Sequence, residues 1–92
     1  MKFQLSKWAD RDLDKLTASS IKDFGLAQTQ IHMGGLDYLF ELLAENPKMG
    51  AKWKGNIRKH PYRSHVIYYR IRKSDILILR VRSGRMKEPR LS

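Results

Sequence analysis

The chain has 92 residues, no cysteine and a net charge of +10. That length suits one domain over residues 1–92 with one modest core, and the missing cysteines exclude disulfides, thiolate metal sites and cysteine nucleophiles. The charge is divided unevenly: residues 1–46 hold five Lys/Arg and seven Asp/Glu, a net −2, while residues 47–92 hold fourteen and two, a net +12. A half so basic attracts anionic partners.

Lys2-Phe3-Gln4-Leu5-Ser6 alternates polar and apolar as a short strand does, and Ser6 suits a helix cap. From Lys7 to Phe24, Trp8, Ala9, Leu13, Leu16, Ser20, Ile21 and Phe24 recur at three-to-four spacing, which predicts an amphipathic helix. Asp10, Asp12 and Asp14 crowd its first turns, where negative charge suits the helix dipole, and Gly25 ends it. A second helix runs from about Leu26 to Glu45, with Met33, Leu36, Phe40 and Leu43 as its seam and Asn46-Pro47 as its stop. Gly34-Gly35 interrupts it and reads either as a close helix crossing or as a kink. One glycine joins the two helices, so they form an antiparallel hairpin.

The second half changes period. Trp53 to Lys59 reads as one basic strand, and His60-Pro61-Tyr62 as a turn. Ser64 to Ile71 alternates, with His65, Ile67, Tyr69 and Ile71 on one face and Val66, Tyr68 and Arg70 on the other. After a connection at Arg72–Asp75, Ile76 to Val81 is apolar on both faces, as a central strand is. Met86 to Ser92 is a polar tail. The outline is α+β, β-α-α-β-β-β: a small twisted antiparallel sheet packed on an N-terminal helical hairpin. The hairpin covers one face of the sheet. Val66, Tyr68 and alternate residues of Ile76–Val81 are left to line an open apolar groove edged by arginines, the kind of patch that marks a partner site.

His32, His60 and His65 lack metal-ligand spacing, so structural roles are expected for them, with no metal and no cofactor. GxSxG, a phosphate-binding glycine loop and paired carboxylates are all absent. Ser64 and His65 are neighbours in a strand, so they should point to opposite faces and not pair. No apolar run nears the ~20 residues of a membrane span, and the first five residues are too short for a signal sequence, so a cytoplasmic protein is expected. The fourteen basic residues, with Trp53, Tyr62, Tyr68 and Tyr69 among them, fit three readings: a nucleic-acid surface, a docking face for an acidic protein segment, or a solvated face.

Several segments carry a family likeness. They are Ala9-Asp10-Arg11-Asp12-Leu13, Phe24-Gly25-Leu26-Ala27-Gln28, Phe40-Glu41-Leu42-Leu43-Ala44-Glu45-Asn46-Pro47, Arg63-Ser64-His65-Val66-Ile67-Tyr68-Tyr69-Arg70 and Arg85-Met86. In order and spacing the chain resembles the ParE toxins of bacterial toxin–antitoxin modules, within the ParE/RelE superfamily, over about residues 2–90. The resemblance implies a non-enzymatic inhibitor of DNA gyrase that blocks replication. It also implies neutralisation by a ParD-like antitoxin with an acidic segment, in a toxin–antitoxin hetero-oligomer.

The superfamily's RelE-like branch, which cuts ribosome-bound mRNA, is the competing reading. That branch usually has an arginine where Val66 stands and a Tyr or His in the tail, and Met86–Ser92 has neither. Lys52, Lys54 and Arg85 are the residues that would serve it. For the antitoxin, the expected contacts are Val66, Tyr68, Arg70, Ile78, Arg80 and Arg82. For the target they are Arg82, Arg85, Lys87 and Arg90, together with the exposed face of the helical hairpin.

Overall fold

The computed structural model describes residues 1–91. In chain order it contains β1 (Lys2–Leu5), α1 (Lys7–Phe24), α2 (Leu26–Glu45), β2 (Ala51–Lys54), β3 (Ile57–Tyr62), β4 (His65–Ile71) and β5 (Asp75–Ser83). The helix limits follow from local chemistry. Ser6 Oγ accepts the Ala9 N–H at 3.0 Å, which caps α1, and donates to the Leu79 carbonyl at 2.8 Å, which ties the cap to β5. Gly25 has φ +86°, a conformation that favours glycine, and turns the chain straight into α2. Thr29 Oγ1 donates to the Gly25 carbonyl at 2.8 Å and lies 3.0 Å from Ser20 Oγ, so a buried polar pair closes the hairpin.

The five strands form one sheet in the order β1-β5-β4-β3-β2. It is mixed: β1 runs parallel to β5, and the other three pairings are antiparallel. The all-antiparallel expectation fails at β1: the chain alternates direction through β2, β3 and β4, so β5 comes back beside β1 running the same way. Where one basic strand was expected there are two, β2 and β3, joined by Gly55-Asn56, with Gly55 at φ +51°. His60-Pro61-Tyr62 belongs to β3 and is not a turn; the turn is Arg63-Ser64, with Arg63 at φ +53°. Pro61 is tolerated because β2 pairs with β3 only through Lys59, so Pro61 lies past the end of its neighbour and owes the ladder no donor.

The core lies between the hairpin and one sheet face. Ala9, Leu36, Phe40 and Leu43 meet Ile67, Tyr69, Ile76, Ile78 and Val81 there. The seam expected on α2 is the seam observed, with Met33 partly buried at its edge. The α1 stripe is narrower than its periodicity: Trp8, Ile21 and Phe24 are exposed, and the core takes Ala9, Leu13 and Leu16. Gly35 has a reason neither sequence reading supplied. A Cβ there would collide with the Tyr62 hydroxyl, which donates to the His32 carbonyl at 2.8 Å; Gly34 faces open space.

β5 carries a bulge. Tyr69 pairs with Ile78 and Tyr68 with Arg80, so Leu79 has no partner of its own in the register. The extra residue resets the alternation, which lets Ile78 and Val81 both face the core although they are three apart. β1 covers the β5 edge only as far as Ile78. Past that point Asp12 of α1 takes over: its carboxylate accepts the Val81 N–H at 3.0 Å and a two-pronged bond from the Arg80 guanidinium at 2.8 and 3.0 Å.

Candidate binding face of the sheet

The face turned away from the helices is built from β3, β4 and β5. Alternation puts Val66, Tyr68 and Arg70 of β4 on it, with Leu77 opposite Arg70 and Arg82 opposite Val66 on β5, and Lys59 beside Tyr68 on β3. Trp53 of β2 reaches the same face, its ring 4.8 Å from the Tyr68 ring. The centre is aromatic and the surround is cationic.

This face is not open. After β5 the chain turns at Gly84–Met86, where the Gly84 N–H donates to the Ser64 carbonyl at 2.8 Å and the Met86 N–H to the Ser83 carbonyl at 3.0 Å. The following residues run back over the sheet. An Arg82 Nη donates to the Lys87 carbonyl at 3.3 Å, the Lys59 ammonium binds the Glu88 carboxylate at 2.9 Å, and Pro89 is buried. Tyr68 beneath them is only 4% exposed.

The ionisations agree with this geometry. The bond from Lys59, with help from the Trp53 indole and Lys54, holds the Glu88 carboxyl below its ordinary value, and the same bond raises Lys59. Burial and the Glu88 charge push the Tyr68 phenol up.

The residues expected to contact an antitoxin divide in this structure. Val66, Tyr68, Arg70 and Arg82 share the outer face, as expected. Ile78 does not: it is 0% exposed in the helix-side core, because two-residue alternation from Ile76 places it there, and Leu77 is its outward neighbour. Arg80 is occupied, its guanidinium paired with Asp12 and stacked 5.9 Å from the Trp8 ring. Of the residues expected to contact the target, Arg85, Lys87 and Arg90 are exposed along the tail, whereas Arg82 is half-buried under it. Lys59, Trp53 and Glu88 were not expected at this face. The tail has no periodicity to reveal where it docks; its one sequence signal is Glu88, the sole acid after Asp75.

The histidines sit elsewhere. His32 of α2 and His65 of β4 stack edge to face at 6.2 Å, beside a cleft of about 450 Å³ that also meets Asp23 and Arg63. Burial lowers both imidazoles, with Arg63 adding to the effect on His32 and His32 to that on His65. Ser64 lies in the turn and not in the strand, so it does not point away from His65. Its Oγ is 3.5 Å from His65 Nδ1, a long solvent-exposed contact. His60 Nδ1 is 2.7 Å from the Pro61 carbonyl. Among the described residues no group of three or more His, Asp or Glu is placed to hold a metal ion, and no helix is long and apolar enough to cross a membrane.

The fold has solved counterparts. A chain from a structure described as a chromosomal ParDE TA system from P. aeruginosa superimposes with a TM-score of 0.78 at 17% identity, over 90% of this chain and 95% of that one. A conserved hypothetical protein from Helicobacter pylori matches less closely, with a TM-score of 0.50 at 20% identity over 90% and 93% of the two chains. Both are likenesses of fold. No curated protein matches the sequence. The family model for the ParE toxin of the type II toxin–antitoxin system, parDE, matches residues 3–88, and the chain therefore belongs to the ParE toxin family.

Proposed function

We propose that this ParE-family chain inhibits DNA gyrase by binding it, without enzymatic chemistry of its own. We read residues 1–92 as one functional unit acting in the cytoplasm. In this reading a ParD-like acidic antitoxin holds the toxin inactive in a hetero-oligomer. The observation that carries the proposal is the family match over nearly the whole chain, residues 3–88. Charge and shape support the antitoxin half: a +12 segment folds into a sheet whose outer face rings Tyr68 and Trp53 with Lys59, Arg70 and Arg82. An acidic segment with apolar residues complements such a face. The exposed tail cations Arg85, Lys87 and Arg90 are the candidate contacts to the target. The apolar residues Phe24, Leu26, Ile31 and Tyr38 on the hairpin are the second candidate surface.

A supercoiling assay with purified gyrase tests this. Added toxin should block supercoiling and leave cleaved DNA bound to the enzyme, and added antitoxin should reverse both. Full supercoiling at large molar excess of toxin would sink the proposal. The RelE-like alternative predicts codon-biased cleavage of mRNA after induction, lost in Arg85→Ala. The tail's lack of a Tyr or His to move a proton stands against it.

A further inference from the structure

The outer face of the sheet was expected to be open, and it carries the chain's own tail. The tail contributes one carboxylate, Glu88, which sits on the Lys59 ammonium at 2.9 Å. It contributes one buried apolar residue, Pro89. It contributes one backbone acceptor, the Lys87 carbonyl, to Arg82. Acid, apolar group and carbonyl are what an extended acidic peptide would offer the same face.

The tail fits incompletely. Arg82 Nε is buried under it and finds no partner among the described residues. A buried donor left unpaired costs free energy that a better acceptor recovers. The tail also spends little on holding itself: after the turn at Gly84–Met86 no regular structure follows, and the Lys59–Glu88 pair is solvent-exposed. Exposed pairs of that kind are weak.

We infer that residues 87–91 are a displaceable internal stand-in for an acidic partner segment, which docks on the same face by putting its own carboxylates on Lys59 and Arg82 and an apolar side chain where Pro89 lies. The inference rests on the antitoxin reading only for where the partner comes from; the docking face and its chemistry rest on the tail. A partner so bound competes with the tail. Its apparent affinity is reduced by the fraction of molecules whose tail is lifted. Loosening the tail therefore strengthens binding without adding a contact.

The test uses the full chain carrying Trp8→Phe, which leaves Trp53 as the one tryptophan. The probe is a short synthetic peptide alternating glutamate and leucine. Glu88→Gln removes the tail's carboxylate. Pro89→Ser loosens the tail with no change of charge. Glu41→Gln, on the exposed outside of α2, matches the charge change of the first variant at a distance. Both tail variants should shift Trp53 emission to longer wavelength and make it easier to quench. Both should bind the peptide more tightly, by about tenfold if the tail is lifted about one time in ten in the parent. Bound peptide should restore the protection of Trp53.

Unchanged affinity in both tail variants overturns the inference. So does an equal gain in Glu41→Gln, which would make the effect one of bulk charge. A single-stranded DNA oligonucleotide that binds tighter than the peptide and protects Trp53 better would assign the face to nucleic acid instead. Gyrase appears in none of these measurements, so a chain that fails to inhibit gyrase can still pass them, and the two failures are separable.

Discussion

At Gly34 a Cβ would meet nothing within 4 Å, whereas at Gly50 it would lie 2.6 Å from the Tyr69 hydroxyl and 2.9 Å from the Lys59 carbonyl. Gly34→Ala should therefore stabilise the chain by about 1 kcal/mol, the helix-propensity difference between the two residues. Gly50→Ala should destabilise it by about 1–3 kcal/mol, because a backbone carbonyl cannot step aside. It would also disturb the buried Tyr69 hydroxyl, which donates to the Pro47 carbonyl at 2.6 Å and accepts the Gly50 N–H at 3.0 Å. Chemical denaturation of the two variants checks both signs; a stabilised Gly50→Ala would mean that this loop has room the structure does not allow it. Nothing in the sequence separates these glycines, since each is defined by a side chain that arrives from another element. Ile78 was misplaced for a related reason. In a strand apolar on both faces the pattern cannot say which face is covered, and the bulge at Leu79 shifts the phase again.

Between elements, the Asp12–Arg80 contact joins α1 to the part of β5 that β1 leaves uncovered. Removing the carboxylate in Asp12→Ala strands a partly buried guanidinium and a strand N–H together, which should cost about 1–3 kcal/mol. Asp12→Asn should cost less, because the amide oxygen can still accept the Val81 N–H. Equal losses in the two variants would show that the charge alone matters. A second junction, α2 to β4, is sensitive to pH. Around His32 and His65 stand Arg63, Asp23 and the Tyr62 ring. Both imidazoles are held below their ordinary value of 6.5. The unfolded chain therefore binds protons first, so their contribution to stability is full above about pH 7 and is lost as the pH falls through 6.5 toward the lowered folded values. The melting temperature should drop between about pH 7 and about pH 5, and His65→Gln should flatten that drop; an unchanged slope in that variant would place the titration elsewhere. The helix limits were legible in advance because Ser6, Gly25 and Asn46-Pro47 act locally. The β2–β3 hairpin was also written there, as Gly55-Asn56 between two basic stretches, but the continuous charge hid a two-residue turn that charge does not control. Arg63-Ser64 carries no comparable turn residue, which is why the proline nearby drew the turn away from it.

Over the whole molecule the charge is sorted by face, and this makes association testable apart from affinity. The −2 segment folds into the hairpin and β1, and the +12 segment into the rest of the sheet and the tail. An acidic partner approaching the sheet is drawn by the summed field before any contact forms, and that field is screened within ~10 Å at 0.1 M salt. The association rate of such a partner should fall by roughly tenfold or more as salt rises from about 0.05 to about 0.5 M. Dissociation should respond much less, because the contacts that must break include apolar ones made by the partner on the Trp53–Tyr68 aromatic pair, which salt does not weaken. Stopped-flow measurement of both rates across that salt range separates the two effects. Bound partner should also raise the unfolding free energy, by about 2.7 kcal/mol at a free concentration one hundred times its Kd. If salt altered dissociation alone, the +12 segment would act only after docking, through close pairs such as those at Lys59 and Arg82. Neutralising these two residues would then reproduce the whole salt effect, whereas steering by the field would survive their loss in proportion to the cations that remain.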